Sequence, residues 1–306
     1  MAFLHTFSIV ARDEKTGQMG VAVQTHWFAV GAICPWVEAG VGAIATQSMV
    51  EVSYGPLGLA SLRNGKTAAE TLNDLLSKDE RRALRQVAIL DAKGSVAVHT
   101  GERCISAAGH HIGQGYSVQA NMMINEGVWP MMAKAFESSK GDLAFRMLAA
   151  LKAGQAAGGD IRGKQSACML VVDHEKSNQS WKHTLVNLRV DDHPDPIPEL
   201  ERLLNIQKAY ELMNEGDELL AKNDTHAARE KYSRGAALAP DIEELPFWQA
   251  VTLADSGKLQ EALPLFQQVF NKNPSWAELV QRLPASGLLK NDREMMKKIL
   301  SMKSEQ

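Results

Sequence analysis

The chain has 306 residues, 45% of them hydrophobic and 23% charged, and a formal net charge of −3. That length accommodates two domains, the composition is that of an ordinary globular protein, and the charge argues against nucleic-acid binding led by electrostatics. No apolar run approaches the roughly 20 residues of a membrane span, and Met1–His5 lacks the basic, long-apolar pattern of a leader, so a cytoplasmic protein without membrane contact is expected.

The first predicted elements are a strand from Thr6 to Asp13, a turn at Glu14–Gly17 and a returning strand from Met19 to Thr25. A turn centred near Lys15 and Thr16 sets Thr6 roughly opposite Thr25, with His26 just beyond. A third apolar run, Val41–Thr46, ends on Gln47. Gly55-Pro56 is expected to break the chain ahead of a short helix over Leu57–Arg63. Thr67-Ala68-Ala69-Glu70 has the spacing of a capping box and predicts a helix through Leu76. Gln86–Leu90 and Ser95–His99 alternate in hydropathy around Asp91-Ala92-Lys93-Gly94, the pattern of a second hairpin. A glycine-punctuated, extended stretch then leads to a strand around Tyr116–Gln119 and to Asn121. Helices are predicted over Asn125–Ser138, with Pro130 either starting or kinking the first, and over Asp142–Ala153. A polar glycine-rich loop, 154–163, precedes a buried strand over Ser166–Val172 and a partner strand over Trp181–Val190.

The order of strands, helices, then strands predicts antiparallel sheets with helices stacked on them, an α+β domain over residues 1–197. From Pro198 the strand patterns cease, and residues 198–306 read as an all-α domain. Within it Ala228 recurs as Ala262, Tyr232 as Phe266 and Pro240 as Pro274, each 34 residues apart, and Gly216 is matched by Ala250. Small, aromatic and proline positions at that period resemble the tetratricopeptide repeat. Alanine lets two helices approach, the aromatic fills the wedge between them, and proline ends the second helix. Asn223-Asp224 and Ser256-Gly257-Lys258 supply the turns. Stacked helix pairs of this kind bind peptide segments, so a protein partner is expected here.

Four groups of residues could carry chemistry. Thr6 as a nucleophile needs a base, which a free α-amino group on the same residue can supply. Gln24, Gln47 and Asn121 end or flank strands and could donate to an oxyanion. Thr25 and His26 lie at the same open end, and Asp160, Arg162, Gln165 and Ser166 form a polar cluster ahead of a buried strand. His110 and His111 would point to opposite faces of a strand. With no His-Glu-x-x-His or Cys-x-x-Cys spacing, and with Cys34, Cys104 and Cys168 widely spaced, neither a metal nor a cofactor is expected. From residues alone, each polar group also has a plain structural reading, and these alternatives stay open.

The runs Thr6–Asp13, Gly42–Gln47, Tyr54-Gly55-Pro56, Gly154–Asp160 with Gln165-Ser166, and Leu188–Pro194 resemble the domain-of-unknown-function 1028 family over nearly all of Phe3 to about Leu204. The resemblance implies membership of the N-terminal-nucleophile (Ntn) hydrolase-like superfamily and an αββα sandwich of two antiparallel sheets between helical layers. It makes Thr6 the nucleophile position. With the residue reading above, Gln47 and Asn121 are expected to complete the catalytic set and Thr25, His26, Asp160, Gln165 and Ser166 to bind the substrate. Many relatives begin Met-Thr-Phe-Ser, whereas here Ala2-Phe3-Leu4-His5 precede Thr6, so this chemistry requires a cut between His5 and Thr6. No lysine lies between Thr25 and Gly65, where proteasome-like members place one. The resulting expectation is a hydrolase of a small amide or peptide-like substrate, with a protein partner on the repeats and self-association as a homo-oligomer. The alternative is a catalytically silent, ligand-binding sandwich that acts through its repeats.

Overall fold

Two turns built on an aspartate and a glycine start the sheets. Asp13 Oδ1 accepts from the backbone N–H groups of Lys15 (3.0 Å) and Thr16 (2.9 Å), and Gly17 takes φ 73° to close the loop. Asp91 Oδ1 accepts likewise from Lys93 and Ser95, both at 3.0 Å, with Gly94 at φ 89°. Each carboxylate replaces backbone partners the turn cannot supply.

The computed structural model describes residues 3–4, 6–179 and 182–303. They separate into two compact units, Met1–Arg202 and Leu203–Gln306. In the first unit the strands are β1 (Phe3–Leu4), β2 (Thr6–Arg12), β3 (Met19–Thr25), β4 (Pro35–Glu38), β5 (Gly42–Met49), β6 (Arg85–Asp91), β7 (Val96–Thr100), β8 (Gly109–Gly113), β9 (Tyr116–Ala120), β10 (Ser166–Val172) and β11 (Thr184–Val190). They form two sheets, in the orders β1-β5-β6-β7, with β4 also on β5, and β11-β10-β3-β2-β9-β8. All described pairings are antiparallel.

Helices α1 (Tyr54–Arg63) and α2 (Ala68–Ser77) cover the outer face of the first sheet, where Tyr54, Leu59, Leu62 and Leu72 pack on Ile44, Val87 and Ile89. Helices α3 (Val128–Ser138) and α4 (Leu143–Ala156) cover the outer face of the second, where Phe136 meets Tyr116 and the Gly154 backbone abuts Phe7. The expected capping box is formed, with Thr67 Oγ1 accepting from Glu70 N and the Glu70 carboxylate accepting from Thr67 N.

Several boundaries differ from expectation. Tyr54-Gly55-Pro56 does not break the chain but forms the first turn of α1, where proline's missing N–H has no partner to lose. Pro130 sits likewise in the first turn of α3, which starts at Val128 and not at Asn125. β4 was not anticipated. It opens on a proline, which a strand tolerates only at its start or on an edge. The start expected for the last strand, Trp181, lies outside the described residues; the strand seen begins at Thr184.

Helix α5 (Pro196–Ala221) begins two residues ahead of the expected change at Pro198. Every regular element described in the second unit is helical, continuing with α6 (Thr225–Leu238), α7 (Glu244–Asp255), α8 (Leu259–Lys272), α9 (Ser275–Arg282) and α10 (Arg293–Leu300). Asn223 turns the chain at φ 63° and Asp224 caps α6, while Gly257 at φ 81° turns α7 into α8. The core of this unit joins Ala228, Tyr232, Phe247, Ala250, Ala262, Phe266 and Phe270.

Candidate functional site

The layer between the two sheets has an apolar half and a polar half. Val10, Val21, Val23, Ala43, Ala45, Ala88 and Leu90 fill the first. The second is lined by Thr6, Ser8, Thr25, Gln47, Gln86, Ser117, Gln119, Asn121 and Ser166, all without exposed surface. Apart from Ser117, which pairs with Val10 at the border of the apolar half, these positions fall towards the start of β2, β6 and β10 and the end of β3, β5 and β9, so one end of the sandwich gathers them. Strand alternation puts Thr6 on the same face as Ser8, whose side chain reaches Gln47 on the facing sheet.

Thr6 pairs with Thr25 in the β2–β3 ladder, the register anticipated from the turn. Its carbonyl oxygen accepts from Asn121 N (3.1 Å), Gln47 Nε2 (3.2 Å) and Asn121 Nδ2 (3.5 Å). Its hydroxyl is the contrast: Thr6 Oγ1 is fully buried and has no hydrogen-bond partner. Buried polar groups are nearly always paired, so an orphaned hydroxyl calls for an explanation.

Gln86, which sequence reasoning missed, organises the amides around Thr6. Its Nε2 faces three acceptors, Ala120 O (2.9 Å), Gly109 O (3.2 Å) and Thr100 Oγ1 (2.9 Å). Its Oε1 must therefore face the other way, where it accepts from Gln47 Nε2 (2.7 Å) and Asn121 Nδ2 (2.9 Å). Gln47 Oε1 is then left to accept from Ser8 Oγ (2.6 Å), Ser8 Oγ accepts from Gln119 Nε2 (2.5 Å), and Gln119 Oε1 accepts from Ser117 Oγ (2.9 Å). Two backbone carbonyls thus fix the sense of a whole buried chain. At its outer end Thr100 Oγ1 lies 2.9 Å from His110 Nδ1. Burial, with His99 and His111 nearby, pulls His110 below the usual imidazole range, which suits an Nδ1 that accepts from Thr100.

The remaining anticipated residues form a belt next to Thr25. Ser166 pairs with Thr25 in the β3–β10 ladder; its Oγ accepts from Val30 N (3.1 Å) and donates to Trp27 O (2.5 Å). Gln165 N donates to Thr25 O (3.0 Å), and its side chain reaches Asp192 Oδ1 (3.1 Å). Asp160, its carboxylate without exposed surface, binds the Arg162 guanidinium at 2.7 Å and accepts from His26 N at 3.1 Å. The His26 ring lies 3.3 Å from Lys164 O. Asp160 and Ser166 therefore shape the loops that flank Thr25, while Thr6, Gln47 and Asn121 converge directly.

Burial pushes the Cys34 thiol far above its ordinary range, and Cys168 up to about 12, so neither offers a thiolate nucleophile. Among the described residues, no group of three or more His, Cys, Asp or Glu side chains is arranged to hold a metal ion. Nor is any helix among them long and apolar enough to cross a membrane.

Three of the missed residues, Ser8, Ser117 and Gln119, had a signal. Ser117, Gln119 and Asn121 recur at every second position, as do Thr6 and Ser8, on strands whose other positions are apolar. A polar phase on a strand apolar in its other phase marks a polar interior once both faces are covered.

The model of a family described as "Family of unknown function (DUF1028)" matches residues 6–200. Among solved structures, a DUF1028 protein from Silicibacter pomeroyi is 33% identical, with a TM-score of 0.59, over 65% of this chain and 84% of its own. Anbu (ancestral beta-subunit) from Yersinia bercovieri aligns at 10% identity and a TM-score of 0.34, over 64% of this chain and 91% of its own. No match was found among curated proteins.

Proposed function

Since the chain belongs to the DUF1028 family, we propose that its first unit is an amide hydrolase of the N-terminal-nucleophile type, with Thr6 as nucleophile once its amine is freed. The observation that supports this is the Thr6 hydroxyl, buried without a partner beside amides that grip its own carbonyl. The α-amine, with an ordinary pKa of about 8, takes the Oγ1 proton as Oγ1 bonds to the substrate carbonyl carbon. Collapse breaks the C–N bond, the proton leaves with the departing amine, and an ester remains on Thr6. Water then cleaves the ester, releasing the acid and restoring the hydroxyl. The donors of Gln47 and Asn121 already engage Thr6 O and Gln86. We therefore place them in the catalytic set as the groups that fix Thr6 beside the oxyanion. Thr25, His26, Asp160, Gln165 and Ser166 are proposed to shape the substrate side.

One observation favours the silent, ligand-binding alternative for the uncut chain: Thr6 is peptide-bonded to His5 and wholly buried. Intact mass of the purified protein, followed by assay against a panel of amides and short peptides, separates the two. A chain starting at Thr6 whose turnover disappears in Thr6→Ala supports the hydrolase. An uncut chain, or turnover unchanged in Thr6→Ala, removes it.

For the second unit the proposal is a tetratricopeptide-like pair of helical hairpins that takes a protein segment. It is supported by the 34-residue spacing of Ala228 with Ala262 and Tyr232 with Phe266, all buried in one core. Self-association and a cytoplasmic location belong to the same proposal.

A further inference from the structure

The loops at the two ends of the sandwich differ in character. Among the described residues, the turns 13–18, 91–95 and 114–115, at the end away from Thr6, carry no exposed large hydrophobic side chain. The loops at the Thr6 end carry Phe28, Ile105, Ile124 and Ile161, all exposed. Loop tips are ordinarily polar, so large apolar side chains left in water at one end only mark a contact surface.

Ile105, Ile124 and Ile161 belong to one construction. Met123 bridges Asp160 antiparallel, with Ile124 N donating to Gly159 O (3.0 Å) and Ile161 N donating to Met122 O (3.3 Å). On the other side, Met122 N donates to Ile105 O and Met123 N to Ala107 O, both at 3.2 Å. Three short segments, 105–107, 122–124 and 159–161, therefore lie side by side. Met123 and Asp160 are buried, whereas their chain neighbours Ile124 and Ile161 are 57% and 58% exposed and stand on the opposite, outer face. Ile124 rests directly on the glycine-rich loop: a Cβ added at Gly158 would lie 2.0 Å from Ile124 Cγ2.

This platform is anchored at the candidate site. Asn121, whose backbone and side chain hold Thr6 O, leads straight into Met122, and Ile161 follows Asp160 in the chain. Met122 and Ala107 take φ 58° and 52°, left-handed conformations that cost a residue with a side chain and persist only where the surroundings impose them. The apolar face is thus fixed at the end of the sandwich where Thr6 lies, and a molecule engaged at Thr6 has its flanking groups at that same end.

We infer that the outer face carrying Ile105, Ile124 and Ile161 is a subsite for a bulky aliphatic side chain of a peptide-like substrate, flanking the bond presented to Thr6. The Thr6 reading above supplies the identity of the occupant, while the apolar surface itself is present in the uncut chain. Such a face separates an aliphatic from a polar side chain by desolvation, by about tenfold or more.

The test uses the full chain with its isoleucine δ1-methyl groups labelled with carbon-13, titrated with acetyl-Gly-Leu-Gly amide and with acetyl-Gly-Ser-Gly amide. The leucine probe should shift the methyls of Ile105, Ile124 and Ile161 saturably. Ile112, exposed on β8 outside the platform, is the internal control and should stay in place. The serine probe should bind at least tenfold more weakly. A chain carrying Ile124→Ser and Ile161→Ser, with an unchanged circular-dichroism melt, should lose at least fivefold in affinity for the leucine probe. Absence of a saturable shift up to the solubility of the probe, equal shifts at Ile112, equal affinity for the two probes, or unchanged binding by the double variant each overturns the inference. Saturable binding of the leucine probe with no hydrolysis by a chain starting at Thr6 leaves the subsite standing and removes the hydrolase. Hydrolysis of both probes with equal kcat/KM removes the subsite and leaves the hydrolase.

Discussion

Thr6 stands directly across from Thr25 in the β2–β3 ladder, and both side chains are shut inside the sandwich. The Thr6 carbonyl is over-supplied with donors while its hydroxyl, two bonds away from the same Cα, has no partner. A fold that merely needed a β-branched residue here would be served better by valine, which has the same shape and no unmet hydrogen bond.

That comparison gives the first prediction. Thr6→Val should leave stability unchanged or raise it by about 1 kcal/mol, because it removes an unpaired buried polar group without creating a cavity. Urea unfolding with an unchanged m-value is the measurement. A loss of more than about 1 kcal/mol would make the hydroxyl a structural one, and Thr6 would lose its claim as nucleophile.

Gln86 should behave in the opposite way. Gln86→Met keeps the volume but takes one acceptor from the donors of Gln47 and Asn121, which keep Thr6 O, and one donor from the carbonyls of Gly109 and Ala120. A cost of about 3 kcal/mol is expected, since a few buried groups each lose a partner. The same network serves Gln47, so a Gln47→Met, Gln86→Met double variant should cost less than the sum of the two singles. Strict additivity, measured by chemical unfolding, would show that the two amides do not act together.

How much of this was legible in the chain follows from what local chemistry can specify. The β2–β3 register was legible because a short Asp-to-Gly turn fixes which residues face each other. The capping box at Thr67 was legible for the same reason, being complete within four residues. The pairing of Phe3–Leu4 with β5 was not, since 44 residues separate Leu4 from Ser48 (48 − 4) and no periodicity reports it. Gln86 was hidden by its surroundings: one amide in Gln86-Val87-Ala88-Ile89-Leu90 reads as the polar phase of a half-exposed strand, and only the second sheet makes that phase an interior. Gly55-Pro56 misled because the same dipeptide serves equally as a break and as a helix's first turn.

Acid should loosen the helical layer on the first sheet through Asp79. Burial opposes ionisation of this carboxyl, but hydrogen bonds from Arg85 and Tyr54 outweigh it and hold Asp79 below its ordinary range. A folded-state value below the unfolded one contributes stability that is fully present above about pH 4 and is lost as pH falls through the depressed value. Asp79→Asn should therefore cost about 2 kcal/mol near neutrality, as a hydrogen bond between charged groups is lost. It should also flatten the decline of stability with pH below about 4. An acid limb of equal slope in the variant would assign the decline to other carboxylates.

In the helical unit the sign of a glycine substitution tests how closely two helices approach. Replacing a glycine inside a helix by alanine ordinarily gains about 1 kcal/mol. Gly216 in α5 should do the reverse, because a Cβ there would lie 2.5 Å from Cε1 and 2.8 Å from Cδ1 of the Tyr232 ring. That ring cannot easily withdraw: Tyr232 is 2% exposed, and its hydroxyl donates to Asp217 Oδ1 at 2.6 Å. Gly216→Ala is expected to destabilise the unit by about 1–3 kcal/mol, the range for overpacking a core. In a Tyr232→Leu background the same substitution should become neutral or stabilising, since the clash goes and the helix propensity remains. Thermal unfolding of the four chains of this cycle decides the matter. If Gly216→Ala stabilises the chain with Tyr232 present, the ring does not fill the space against α5, and the glycine is there for another reason.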